Sequence, residues 1–360
     1  MRLAFLGDGS LNHVRRWIGY FQEQRHDVLL LSFENVDGCP FPARRLETRL
    51  PTKLLGYLSS LGAIRRELGT FEPDIVNALY VGGYGLVACL SGFRPLVVSS
   101  LGSDLLLDYP ASPIHRMQIG YVLKRADLVT TDAEELSRRA AAIGAPREKI
   151  LKAYFGIDES IFHPAEAAGG GHTFRQGRPR IVSTRSLYPI YHIDLLIDAA
   201  PIIRERCKPI FVICGDGPDR RWLEHRVEDA AIGALFIFRG RLEPREIAEE
   251  LRRASVYVST SRSDSTSVSL LEAMGCGAPP VVTDLEANRE WLRHGENGLL
   301  VPVEAPDALA ASILRMIEDA PFAASVRERN LRIITERGLW YENMKRVSEA
   351  FRKLVAQSPP

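Results

Sequence analysis

The stretch Ser255 to Leu300 holds the residues best suited to chemistry, because it sets two carboxylates around a turn that can hold an anion. Asp264 precedes Ser265, Thr266, Ser267 and Val268, and Glu272 lies further along the same segment. The apolar run Ser255 to Thr260 reads as a buried strand, SRSDSTS as a polar turn, and Val268 to Cys276 has helical spacing that stops at Gly277. A strand that ends in such a turn and enters a helix leaves the first helical amides, around Thr266 to Ser269, without intrahelical partners. Those amides and the positive helix end favour a phosphate. With a diphosphate bound there, Asp264 and Glu272 would flank it and accept hydrogen bonds from the neutral hydroxyls of a ribose and a sugar. The plainer reading takes Asp264 as a turn or capping residue and Glu272 as a solvated helix position, since short acidic spacings are common by chance.

Positioning these residues requires strand, turn and helix in alternation, and the chain repeats that pattern throughout. It predicts an α/β fold of parallel sheets covered by helices on both faces. In the first half the expected strands are Leu3 to Leu6, Val28 to Phe33, Ile75 to Asn77, Leu96 to Ser100, Leu128 to Thr131 and Lys149 to Tyr154. In the second half they are Ile181 to Thr184, Ile210 to Cys214, Leu235 to Phe238, Val256 to Ser259, Val281 to Thr283 and Leu299 to Pro302. Helical segments close the chain at Pro306 to Asp319, Pro321 to Arg337 and Tyr341 to Ala356. The long polar, Gly-rich interruption AEAAGGGHTFRQGRP, Ala165 to Pro179, marks a linker. The expected organisation is two doubly wound Rossmann-like domains facing across a cleft, residues 1–165 and 180–340, joined by a linker at 166–179. Residues 341–360 form a last helix expected to pack back on the N-terminal domain.

A chain of 360 residues suits two domains, each with its own core. Basic and acidic residues nearly cancel, 46 against 45, which excludes the global basic field of a nucleic-acid-binding protein. The five cysteines are scattered, mostly inside apolar runs and without metal-type pairing, and point to a reduced, cytoplasmic compartment. No Asp-x-Asp motif or His/Cys ligand cluster suggests a metal. The chain opens directly on RLAFLG without a leader, and no apolar run approaches the ~18 residues of a membrane span, so a soluble protein is expected. Near Thr52 to Leu68, however, Lys53, Arg65 and Arg66 surround Leu54, Leu55, Leu58, Leu61 and Ile64, after Arg44, Arg45 and Arg49. Such an amphipathic basic helix could rest on anionic lipid at the inner face of the cell membrane. An ordinary helix packed on its sheet with a solvated basic rim has the same pattern.

The run from Asp264 through Leu270, Leu271, Glu272, Ala273, Met274, Gly277, Pro280, Val281 and Val282 to Gly295, Gly298, Leu299 and Leu300 resembles the donor-site signature of family four of the retaining glycosyltransferases. That signature reads Glu, seven residues, Glu, and here Asp264 stands in the first place. The resemblance is strongest from Ile181 to about Ser348 and implies the GT-B architecture. It implies an enzyme of hexosyltransferase type that moves a sugar from a nucleoside-diphosphate sugar to a hydroxyl. The acceptor would be a carbohydrate, lipid-linked or small molecule in polysaccharide, glycolipid or other glycoconjugate synthesis, with no cofactor or metal.

The same resemblance implies roles. Arg185, at the end of the strand RIVST, grips the donor diphosphate, for which the fixed fork of a guanidinium is suited. Glu272 holds the ribose and Asp264 orients the sugar. Gly215 and Gly217 lie near the nucleotide, in a turn where glycine permits positive dihedrals and close approach of a ligand. The loop of Arg239 and Arg241 reads the base edge through its backbone. The family lysine expected after Arg185 is replaced by Tyr191, so either Arg185 carries more of the charge or His192, Arg262 or Arg241 substitutes. Gly9 and Ser10 match the family loop beside the donor phosphates, whereas a dinucleotide fingerprint would need glycine where Asn12 stands. His13, Ser103 and Asp104 are the acceptor-side candidates, and a helix cap explains Asp104 equally well. A nucleotide-sugar epimerase or a donor-binding protein without catalysis would share the fold.

Overall fold

Every strand expected from the apolar runs forms, with ends displaced by no more than two residues. The computed structural model describes residues 1–48, 53–165 and 178–357. Residues 166–177 of the expected linker, and Arg49 and Thr52 of the basic segment, lie outside the described residues. The first sheet has the strands β1 (Arg2–Leu6), β2 (Asp27–Ser32), β3 (Ala43–Arg45), β4 (Ile75–Leu79), β5 (Leu96–Ser99), β6 (Leu128–Thr131) and β7 (Ile150–Lys152). They are parallel and lie in the order β3-β2-β1-β4-β5-β6-β7. The second has β8 (Arg180–Ser183), β9 (Ile210–Ile213), β10 (Phe236–Phe238), β11 (Val256–Ser259), β12 (Pro280–Thr283) and β13 (Leu299–Val301), parallel in the order β10-β9-β8-β11-β12-β13. Strands buried on both faces read as continuous apolar runs, which is why LVVS and VYVS were legible. The edge strand β3 carries two arginines in three residues and gives no such signal.

The order reverses between β1 and β4 in the first sheet and between β8 and β11 in the second. At such a switch point the following loops diverge to opposite faces and leave a crevice beyond the carboxyl ends of the two strands. The loops after β1 and β4, and after β8 and β11, are therefore where each sheet can hold a ligand.

The chain divides into one unit of Met1–Tyr154 with Glu342–Pro360 and a second of Phe155–Tyr341. Residues after Tyr154 already belong to the second unit, upstream of the polar interruption. Ile157 N donates to Gly338 O at 2.8 Å and Trp340 N to Ile157 O at 2.8 Å. Arg252 holds the carbonyls of Ile161 and His163. A methyl on Gly156 would lie 2.4 Å from Gly338 O, so only glycine fits there. The helix Trp340–Gln357 contributes to the first unit from Glu342 on. Phe351 stacks on Phe21 with ring centroids 5.1 Å apart, and Asn343 accepts from Tyr154 N at 3.0 Å.

The basic segment is partly built into the core of the first unit, while Leu55 is half exposed. It forms two helices, Lys53–Ser59 and Leu61–Phe71, whose Ile64 and Leu68 are fully buried in the core of the first unit. The Tyr57 ring stacks on Phe33 at 4.0 Å, and Arg65 donates to the carbonyls of Ser91 and Leu90. Ile64 and Leu68 thus face the core, Leu58 and Leu61 are half-buried, and Arg65 and Arg66 are exposed. Among the described residues, no helix is long and apolar enough to cross a membrane.

Candidate active site

At the switch point of the second sheet, Arg185 follows β8 and the polar turn follows β11. The turn enters the helix Val268–Gly275, with Ser267 as N-cap accepting from Leu270 N. Arg185 is buried and its guanidinium is held from several sides. Nη1 donates to Ser267 Oγ at 2.8 Å and to Ser269 Oγ at 2.9 Å, and Nη2 pairs with Asp264 Oδ2 at 2.8 Å. The Tyr191 ring lies 4.1 Å from Cζ, and Tyr257 Oη donates to Ser269 Oγ at 2.9 Å. Nε is buried without a hydrogen-bond partner. A cation so constrained loses little conformational entropy on meeting an anion, and its orphan N–H adds a reason to do so.

Burial pushes the Asp264 carboxyl up, and Arg185 is the largest influence holding it down. Burial likewise works against the Arg185 charge, and Asp264, Tyr257 and Tyr191 together outweigh it. Asp264 is thus joined to the arginine beside the helix start. Glu272, half-buried in the second turn of the helix, acts together with Asp264 on the neighbouring Tyr257. Burial first, then these two carboxylates, push the Tyr257 hydroxyl up against the pull of Arg185 and Ser269. Thr266 and Ser267 are buried, while Ser265 and Val268 are partly open at the mouth of the turn.

The glycines after β9 lack the positive dihedrals expected and are needed for a close approach of backbone. Neither Gly215 nor Gly217 has a positive φ. A methyl on Gly215 would lie 2.2 Å from Arg185 O, and one on Gly217 2.3 Å from Leu187 O. Leu187 N donates to Asp216 O and Asp219 N to Leu187 O, at 3.0 and 3.1 Å. What approaches these glycines is the backbone that carries Arg185. Their place in the site is to let two loops lock together and fix the arginine.

At the lysine position stands Tyr191, and the neighbouring cations have partners of their own or are exposed. Tyr191 packs its ring on Arg185, and Arg262 is engaged by Glu304 Oε1 at 3.1 Å, Pro189 O at 3.3 Å and His192 Nε2 at 2.9 Å. Arg239 reaches towards Glu250 at 3.7 Å, and Arg241 is exposed beyond β10. His192 is buried, and burial pushes its pKa below the ordinary 6.5, with Asp194 opposing and Arg262 adding. A histidine kept neutral in the fold gains its proton on unfolding, so the second unit loses stability as pH falls through the unfolded value of about 6.5. Melting curves between about pH 7 and about pH 5 should show this slope, smaller in His192→Gln. Equal slopes in the two proteins would remove His192 as its source.

In the first unit, the Gly7-Asp8-Gly9-Ser10 loop after β1 is tied to itself. Ser10 N and Oγ donate to Asp8 Oδ1, Gly9 N donates to Ser32 Oγ at 3.0 Å, and Gly9 O accepts from Arg15 Nε at 2.6 Å. His13 is half-buried in the first turn of the helix Asn12–Glu23, and burial lowers its pKa while Asp8 opposes. Asp104 is a correction. It is fully buried and its two oxygens accept from Ser100 Oγ and the amides of Val81, Leu101, Gly102 and Leu105, which leaves no face for an acceptor. Ser103 is exposed, 3.4 Å from Tyr80 Oη, which donates to Asp108 at 2.5 Å. Tyr80 follows β4 at the first switch point with φ of 135°, a strained value for a non-glycine residue. Sequence reasoning missed Tyr80, Tyr257 and the part that the Ser269 side chain plays in holding Arg185. A tyrosine inside an otherwise apolar buried strand is the signal that could have found Tyr257. Among the described residues no group of three or more His, Cys, Asp or Glu is placed to hold a metal ion.

Residues 170–332 match the family model described as glycosyl transferases group 1, and residues 2–133 match that described as glycosyl transferase 4-like. The chain is 27% identical over 329 residues to a D-inositol 3-phosphate glycosyltransferase of Thermobispora bispora, covering 84% of this chain and 76% of that protein. It is 33% identical over 205 residues to a phosphatidyl-myo-inositol mannosyltransferase of Mycobacterium tuberculosis, covering 56% of this chain and half of that protein. Its fold matches a crystal structure of Anabaena HepE in complex with UDP-glucose, with a TM-score of 0.81 and 20% identity over 98% of this chain and all of that one.

Proposed function

This chain belongs to the group 1 glycosyltransferases of GT-B fold, and from that membership we propose that it transfers the sugar of a nucleoside-diphosphate sugar, held beyond β8 and β11, to a hydroxyl acceptor. The observation that carries this reading is Arg185, immobilised by Asp264, Ser267, Ser269 and Tyr191 beside the start of a helix, with one N–H unused. The anomeric carbon–oxygen bond breaks, positive charge grows on the sugar ring and negative charge on the departing diphosphate. Preorganised donors facing that diphosphate lower the barrier most. Arg185 and the first amides of the helix Val268–Gly275 are such donors. The acceptor oxygen bonds to the anomeric carbon on the face the diphosphate leaves, retaining configuration, and a phosphate oxygen takes its proton. Asp264 acts through Arg185, and Glu272 accepts from the ribose hydroxyls.

The two relatives act, by name, on an inositol phosphate and a phosphatidylinositol, which supports a polyol hydroxyl as the acceptor. The UDP-glucose complex of the structural neighbour supports a nucleotide-linked hexose as donor. Five free cysteines favour action in the cytoplasm. Glu272→Ala is expected to weaken donor affinity by about tenfold to a hundredfold, the worth of one or two charge-assisted hydrogen bonds. Thermal-shift titration with a panel of nucleotides and nucleotide sugars measures it. Unchanged donor affinity and turnover in the variant would overturn the ribose assignment.

A further inference from the structure

We propose that the helix Pro113–Arg125 of the first unit docks on an anionic membrane surface. This inference is independent of the donor reading above, because it rests on a different unit and on different residues. Ser112 caps the helix, accepting from His115 N at 3.2 Å, and Ile119, Val122 and Leu123 bury one face against the core. The opposite face is also apolar. Met117 is 72% exposed and Ile114 58%, the two most exposed large apolar side chains among the described residues, and Tyr121 continues the stripe one turn on. Leu107, on the preceding turn, is also exposed. The spacing of Ile114, Met117 and Tyr121 is that of one helical stripe, and an apolar stripe with nothing on it marks a surface for a partner.

The charge around the stripe selects the partner. The helix contains Arg116, Lys124 and Arg125, all exposed, and no carboxylate. The Arg125 guanidinium lies over the Tyr121 ring, 5.3 Å from its centre, and ties the charge to the aromatic end of the stripe. Three carboxylates of this unit are paired with other cations: Asp127 with Arg94 at 2.7 Å, Glu134 with Lys152 at 2.7 Å and Glu135 with Arg139 at 2.6 Å, while Asp108 accepts from Tyr80. Among the described residues, Arg116, Lys124 and Arg125 form no ion pair, so the helix carries a net positive charge. A second copy of the same face would bring these like charges together. An anionic headgroup layer meets them, while Ile114, Met117 and Tyr121 enter the boundary below, the arrangement of an interfacial helix.

Co-sedimentation of the full chain with phosphatidylcholine–phosphatidylglycerol vesicles, against pure phosphatidylcholine, tests the proposal. Binding is expected to the anionic vesicles, weakened by salt, and to fall about tenfold or more in I114E/M117E. Met117→Trp should bind more tightly than the parent, which guards against a loss caused by misfolding. Donor-induced thermal shift, read on the second unit, should be the same in all three proteins. Equal binding by parent and I114E/M117E would overturn the proposal. So would failure of the parent to bind, whether it is then a monomer or a dimer that the double substitution dissociates.

Discussion

Replacing Arg185 with lysine is expected to lower kcat/KM for the donor by about a hundredfold while leaving a folded protein. A lysine keeps the charge and loses the fork. One ammonium cannot reach Ser267 Oγ, Ser269 Oγ and Asp264 together, nor lie flat on the Tyr191 ring as the guanidinium does. The cation then becomes mobile, and the diphosphate must order it. Full truncation to alanine is the less informative variant, because it strands Asp264 as an unpaired buried carboxylate and costs about 3–5 kcal/mol of stability. Asp264→Asn separates the roles. If Asp264 acts by holding Arg185, the asparagine variant should bind nucleoside diphosphate more weakly even with no sugar attached. A defect confined to nucleotide sugars would instead return Asp264 to direct contact with the sugar. Wild-type turnover in Arg185→Lys would remove the arginine from the site.

The second large effect is expected at Asp104, in stability. Five donors converge on its carboxylate inside the first unit, from Ser100 Oγ at 2.7 Å to Leu101 N at 3.3 Å. Alanine leaves those donors buried without partners, a loss of about 3–5 kcal/mol, or a fall in Tm on the order of 10 °C for a unit of this size. Differential scanning calorimetry reads it directly. A variant with unchanged Tm and a raised acceptor KM would make Asp104 an acceptor ligand after all.

The contrast between these two residues shows what the sequence discloses. Strands such as Val256–Ser259 and Leu128–Thr131 were legible to the residue because both faces of a parallel sheet are buried and the apolar run is unbroken. The turn after β11 was legible because serine-rich turns and helix starts have a shared local chemistry. Asp104 was not, because whether a carboxylate near a helix start faces inward depends on what β4 brings to it, Val81 N above all. The Arg185–Asp264 pair spans a long sequence separation that no local pattern reports. The same limit applies to Gly215, whose turn composition suggested a ligand and whose actual neighbour is the carbonyl of Arg185. For the basic segment, composition could not say which way the leucines face, whereas the exposed stripe on Pro113–Arg125 has no compositional signature beyond missing acids.

Both crossings of the chain between its two units have a consequence for biogenesis. The second unit, Phe155–Tyr341, is one uninterrupted stretch, whereas the first is assembled from Met1–Tyr154 and a helix made only after the second is finished. During synthesis the second unit can complete its core as soon as it clears the ribosome. The first must wait, with the aromatic ring of Phe21 uncovered, until Phe351 arrives to stack on it. Vectorial synthesis thus leaves the earlier-made unit as the later one to close, and makes its incomplete core the surface that a nascent-chain chaperone would meet.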